Sequence, residues 1–241
     1  ARFDGTLLLR NDAINGNVTI EAKNPINFAN STFNDVRLSE EYEHPLAMSL
    51  AVKSDKNQVE LSNVVIKYNG SVGAGNVLIP RVKKKIDGEA ERRRVDVAFN
   101  MTELNADLVL DAIKRFWNKY DGKDYVPNSE FDVIADVKAV KTHYRDQDIR
   151  DLDISVDFVD NVWTLQNMTM QLPYDGIVKA KGEVFSTEKV MTFNFDVDTA
   201  VTEFAKTAQW LGYDVKPLSN ALYKQASAKF TISGNQQTIK V

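Results

Sequence analysis

The sequence predicts a mainly β protein with a few amphipathic helices (α+β), its antiparallel meander repeats forming a curved, rolled or groove-like sheet. Three observations predict it. Apolar and polar residues alternate over many short segments, hairpin dipeptides recur between them, and segments about 100 residues apart match each other. Successive side chains of a strand point to opposite faces, so alternation means one buried face and one wet face. One-sided burial is the habit of antiparallel sheets, whereas parallel βαβ folds need continuous apolar strands with a helix between each pair.

Taken in order, the chain opens on Asp4-Gly-Thr-Leu-Leu-Leu9 and Asn15-Gly-Asn-Val-Thr-Ile20. Leu46 to Val52 alternates, as does Val95 to Met101. The cleanest strands are Leu152-Asp-Ile154-Ser-Val156-Asp-Phe158 and Phe193-Asn-Phe195-Asp-Val197. Ala228-Lys-Phe230-Thr-Ile232 is a late strand. Asn15-Gly16, Asn69-Gly70, Asp87-Gly88, Asp121-Gly122, Asp175-Gly176 and Gly234-Asn235 are the turn signals, because Asn, Asp and Gly tolerate the positive φ of tight hairpins. Two helices are expected. From about 105 to 120, Leu108, Ile113, Phe116, Trp117 and Tyr120 share a face. From about 199 to 211, Val201, Phe204, Ala205, Ala208 and Leu211 do so, with Thr199 as N-cap and Gly212 just past the end. Pro217 suits the start of a third, short helix.

The 241 residues suffice for one large all-β domain or two smaller ones. A hydrophobic share of 43% supports a sizeable core. The net charge of −4 lacks the basic footprint of a nucleic-acid binder. No run approaches the roughly 18 apolar residues of a membrane-spanning helix. Both ends read as cut, so the chain is expected to be a fragment whose membrane anchor lies elsewhere.

The repeat is the most specific signal. Leu61-Ser-Asn63-Val-Val-Ile66 resembles Leu165-Gln-Asn167-Met-Thr-Met170. Tyr68-Asn-Gly70-Ser-Val72-Gly-Ala74 resembles Tyr174-Asp-Gly176-Ile-Val178-Lys-Ala180. An alternating strand then runs into an amphipathic helix in each copy. Units that repeat in this way bury their apolar faces against their neighbours. The divisions read from it are 1–58, an N-terminal β-rich segment that belongs to a preceding module; 59–125, a first repeat; and 126–241, a second repeat with the start of a further strand.

The run from Val59 to about Phe116, ending in Leu104-Asn-Ala-Asp-Leu108, resembles the repeating module of the AsmA-like family. Tyr144 to Ala205 resembles a second module, through Arg150-Asp-Leu152-Asp-Ile154-Ser-Val156 followed by Trp163-Thr-Leu165-Gln-Asn167. The likeness covers about two thirds of the chain. It departs from the family at the polar insert Asp121-Gly-Lys-Asp and in the first 58 residues, which lack Leu-x-Asn. The resemblance implies a Gram-negative periplasmic protein tethered to the inner membrane, related to the bridge-like lipid transfer proteins. It implies a non-enzymatic part in outer-membrane biogenesis and phospholipid transport, with acyl chains held in an apolar groove. Leu152, Ile154, Val156, Phe158, Phe193, Phe195 and Val197 are the groove candidates. The alternative is an envelope scaffold or assembly module with a closed core that binds protein partners.

Enzyme chemistry has little to stand on. His44 and His143 are apart and lack metal-ligand spacing, and there is no cysteine. No nucleophile elbow or phosphate loop occurs, and Gly70-Ser-Val-Gly73-Ala-Gly75 lies between hairpin strands and opens no helix. Asp146, Asp148, Asp151, Asp153, Asp157 and Asp160 fall on the polar face of one strand and its turns. No catalytic residue, metal or cofactor is expected. The Asn-x-Ser/Thr sites at Asn17, Asn30, Asn69, Asn100 and Asn167 read as incidental. One basic cluster remains, Lys83, Lys84, Lys85, Arg92, Arg93 and Arg94 around Asp87-Gly88. It reads as a hairpin tip, either solvated and self-paired or contacting lipid headgroups or a partner.

Overall fold

The computed structural model of the chain describes residues 2–8, 13–23, 44–81, 92–111, 131–160, 162–187, 190–213, 225–235 and 238–240. The chain divides into two compact units, Ala1–Asn105 and Ala106–Val241.

The first unit is a meander. β1 (Arg2–Leu8), β2 (Ala13–Ala22), β3 (Leu46–Ser54), β4 (Gln58–Tyr68), β5 (Ser71–Pro80) and β6 (Arg93–Asn105) each pair antiparallel with the next. The second unit begins with a helix, α1, described over 106–111. Its strands are β7 (Phe131–Tyr144), β8 (Gln147–Val159), β9 (Val162–Leu172), β10 (Gly176–Thr187), β11 (Val190–Val201), β12 (Ala226–Asn235) and β13 (Ile239–Lys240). They pair in the same sequential, antiparallel way. A second helix, α2 (Phe204–Trp210), follows β11. The mainly β class and its antiparallel pairing are thus as the alternation predicts.

Several of these strands interrupt the strict alternation with local resets. The register shows them as bulges. Both Leu-x-Asn segments sit on one: β4 shifts against β5 between Leu61 and Val64, with Asn63 at φ 52. β9 carries an extra residue at Gln166–Asn167 against both β8 and β10. On β8 the reset is Asp151, at φ 50, which lets Ile149 and Leu152 both be buried although three residues apart.

Turn chemistry agrees with the sequence at some sites and departs at others. Asn69 and Gly70 have φ of 45 and 78, the paired positive values of a two-residue hairpin loop. Arg145 and Asp146 do the same between β7 and β8, at φ 47 and 61, without any glycine to announce them. Tyr174 and Asp175 turn at φ 64 and 59, so Tyr174 is a turn residue, whereas Tyr68 ends a strand. Asn15-Gly16 is no turn. It lies inside β2, with Gly16 opposite Gly5 and Val52. Gly234 likewise pairs within β12, and the loop falls beyond it, where Asn235 Oδ1 accepts the Thr238 amide at 3.0 Å. Asp87-Gly88 and Asp121-Gly122 lie outside the described residues. Asp55 closes β3–β4 by accepting the amides of Asn57 and Gln58 at 2.7 and 3.0 Å, which hold its carboxyl below the usual carboxylate range.

The second helix starts later than expected, and the first is described only over its opening residues. The described part of the first holds Leu108, but Ile113, Phe116, Trp117 and Tyr120 lie outside the described residues, as does Pro217. Thr199 is not an N-cap. It is still in β11, its hydroxyl donating to the Ile177 carbonyl at 3.2 Å, and the helix starts at Phe204. Two more strand residues pair with β12 than alternation toward a helix suggests, because Ala200 and Val201 stand opposite Ser227 and Ala226. Gly212 does end α2, at φ 92. Its amide bonds Gln209 O and the Tyr213 amide bonds Ala208 O, each at 2.9 Å, the paired closure of a glycine-terminated helix.

Candidate functional site

The register assembles the predicted strand residues of the second unit into rows across one face. Phe158, Trp163, Val184 and Phe193 form one row. Val156, Leu165, Gly182 and Phe195 form the next, and Ile154, Met168, Ala180 and Val197 the third. Leu152 lies one row on, opposite Ala139. All seven groove candidates therefore share one face, on β8 and β11, with β9 and β10 between. β12 extends it, placing Gly234, Ile232 and Phe230 beside Phe193, Phe195 and Val197.

The face is neither closed nor bare. Leu152 and Phe158 are buried, while Ile154, Val156, Phe193, Phe195 and Val197 are half-buried, and Trp163 is 38% exposed. Among the described strands, close backbone approach is between sequence neighbours. Aromatic rings thicken the face, with Phe158 and Trp163 at 4.6 Å and Phe193 and Phe195 at 6.1 Å between centroids.

Helix α2 lies at one end of the face. It buries Thr207 and Ala208, while Ala205 of the predicted stripe is exposed. It is pinned at its C-terminal end to the β7–β8 turn. Trp210 Nε1 donates to the Tyr144 carbonyl at 3.3 Å, the two rings meet edge-on at 5.7 Å, and Arg145 Nη1 donates to Leu211 O at 2.6 Å. Between α2 and the sheet is a cavity of about 440 Å³. Leu172, Val178, Val197, Val201, Phe204 and Leu211 are among its walls. Thr199 and Thr207 also line it, but their hydroxyls donate to Ile177 O and Glu203 O. The walls thus offer apolar surface and almost no free hydrogen-bonding group. The cavity was not foreseen from the sequence, since it needs α2 to begin after Val201 and to be held at a distance.

The opposite face is a cross-strand charge ladder. Lys229 pairs with Asp198 at 3.0 Å, Lys138 with Asp153 at 3.1 Å, and Thr231 donates to Asp196 at 2.9 Å. A more open depression of about 470 Å³ on this side is walled by Lys179, Lys181, Asp196 and Asp198, among others, which suits water rather than an apolar ligand. Several acidic residues of β8 and its flanking turns have described partners or turn conformations. Asp148 meets His143 and Lys141 at 3.2 and 3.5 Å, and the His143 bond, with Lys141 behind it, holds its carboxyl below the usual range. Asp157 accepts from Gln166 at 2.8 Å, and Asp146, Asp151 and Asp160 hold positive φ. No three His, Cys, Asp or Glu side chains among the described residues converge as metal ligands.

Of the basic cluster, only Arg92, Arg93 and Arg94 are among the described residues, and the expected hairpin tip at Asp87-Gly88 lies outside them. Arg93 and Arg94 belong to β6, and Arg94 pairs with Asp96 two residues on, at 2.7 Å. Arg92 immediately precedes that strand, and Lys83, Lys84 and Lys85 lie outside the described residues. No helix among the described residues is long and apolar enough to cross a membrane.

No family model, curated protein or solved structure matches this chain.

Proposed function

We propose that this chain is a non-enzymatic module of an AsmA-like periplasmic protein, and that the apolar face of its second unit carries phospholipid acyl chains in the service of outer-membrane biogenesis. One observation carries the reading: rows of large apolar side chains span β8 to β12, and most of them remain only half-buried. A contiguous apolar strip left partly uncovered marks an interaction surface. A hydrocarbon chain suits it, because each buried methylene gains about 0.8 kcal/mol without any polar partner. The agreement of both Leu-x-Asn segments with a bulge, and the strand-then-helix order after each, favours the repeated module of that family. Tethering to the inner membrane belongs to the same proposal, through a segment outside these residues.

Organic extraction of the protein purified from bacteria, followed by mass spectrometry, tests it. Phospholipid or fatty acid is expected in near-stoichiometric amount. A lipid-free extract, together with no uptake of a fluorescent fatty acid, would favour the closed scaffold that binds envelope proteins.

A further inference from the structure

One wall of the cavity under α2, Leu211, is bonded through its carbonyl to a cation that is not itself a wall, Arg145. Arg145, exposed in the β7–β8 turn, reaches the last turn of the helix and donates to the carbonyl of Leu211, which is itself a wall of the cavity. The same guanidinium nitrogen would lie 3.0 Å from a side chain added at Gly212, the residue between the wall residues Leu211 and Tyr213. The other described partner of Arg145 is the Tyr144 ring, 5.3 Å from the guanidinium carbon. The neighbouring cations are matched: Lys206 by Glu203 at 2.8 Å and Arg150 by Asp175 at 3.9 Å. Arg145 is thus held by a neutral carbonyl and an aromatic face, with four of its five donors left by the Leu211 bond.

A mostly apolar cavity whose Thr199 and Thr207 hydroxyls are already bonded recognises hydrocarbon. A guanidinium bonded to a wall of such a cavity recognises an anion that hydrogen-bonds in its plane, a carboxylate or phosphate. We infer that the α2 cavity is an end site for an anionic amphiphile, with one apolar chain lodged between α2 and β9–β12 and its acidic head on Arg145. The inference rests on the acyl-binding reading above and adds polarity to it: the chain enters tail-first beneath α2, and the head stays at the β7–β8 turn.

Binding of a naturally fluorescent polyene fatty acid and of its methyl ester to the intact chain separates the possibilities. Arg145→Gln is expected to weaken the acid about tenfold more than the ester, the effect of losing one charge-assisted contact, since any loosening of α2 from the lost Leu211 bond weakens both probes alike. Arg145→Lys keeps the charge but not the planar fork, and should recover only part of the acid's affinity. Ala228→Phe fills the mouth from an exposed strand position that favours aromatic residues, and should weaken acid and ester alike. Equal loss of acid and ester in Arg145→Gln would overturn the headgroup assignment. Unchanged binding in Ala228→Phe would remove the ligand from this cavity while leaving the wider face in contention. Failure of the wild-type chain to bind either probe would overturn both readings.

Discussion

Gly182→Val is expected to destabilise the second unit by about 3 kcal/mol, because there is no room for a side chain on β10 at this point. A Cβ at Gly182 would meet the Asn194 carbonyl oxygen at 2.2 Å and the Phe195 ring at 2.5 Å. The first of these is backbone of the paired strand and cannot rotate away. The Phe195 ring occupies the space a side chain at Gly182 would need, in the row that also holds Leu165. The first unit uses the same device, since a Cβ at Gly75 would meet Ala98 O at 2.2 Å and the Phe99 ring at 2.7 Å. Urea unfolding followed by tryptophan emission, with Trp163 and Trp210 in the second unit, measures the change. A midpoint shift worth less than about 0.5 kcal/mol, the usual range of surface substitutions, would mean that β10 and β11 part easily here and that the ring does not depend on the glycine.

Val197→Asp is expected to abolish fatty-acid binding, by about a hundredfold or more, at modest cost to folding. Val197 stands between Ala180 and Phe230, belongs to the row that contains Ile154, and also walls the α2 cavity. It is half-buried, so a carboxylate there can reach water in the empty protein. It must lose that water when hydrocarbon covers the face, and desolvating an unpaired carboxylate costs several kcal/mol. Val197→Thr, of similar volume, should cost far less. The readout is titration of a fluorescent fatty acid against both variants, with a thermal melt to confirm that each is folded. Retained affinity in a folded Val197→Asp protein would place the ligand elsewhere.

Much of this architecture is legible in the residues because the sheet is one-sided. Leu152, Ile154, Val156 and Phe158 alternate with polar partners, and so do Phe193, Phe195 and Val197, which fixes both their strands and their common face. Leu-x-Asn is visible as a repeated mark, yet its physical meaning, a bulge that resets the register at Asn63 and at Gln166–Asn167, emerges only when the partner strands are known. Positive φ at Arg145, Asp146, Asp151 and Asp160 is likewise hidden, since Asp and Arg, unlike Gly, do not announce it. The Asp content of β8 and its turns is the faint signal, as Asp is among the few residues that tolerate this conformation. Asn15-Gly16 misleads for the opposite reason: strand pairing on both sides of β2 overrides a local turn preference. The α2 cavity is the least legible feature. It arises from a long-range anchor, Trp210 and Leu211 on Tyr144 and Arg145, between segments 66 residues apart.

A fatty acid carrying a nitroxide spin label on its chain locates the ligand, read through the methyl signals of the folded protein. Selective broadening is expected at Leu152, Ile154, Val156, Leu165 and Val197, with Val140, 64% exposed on β7, left sharp. Uniform broadening of both faces, or none at saturating ligand, would contradict acyl binding on this face.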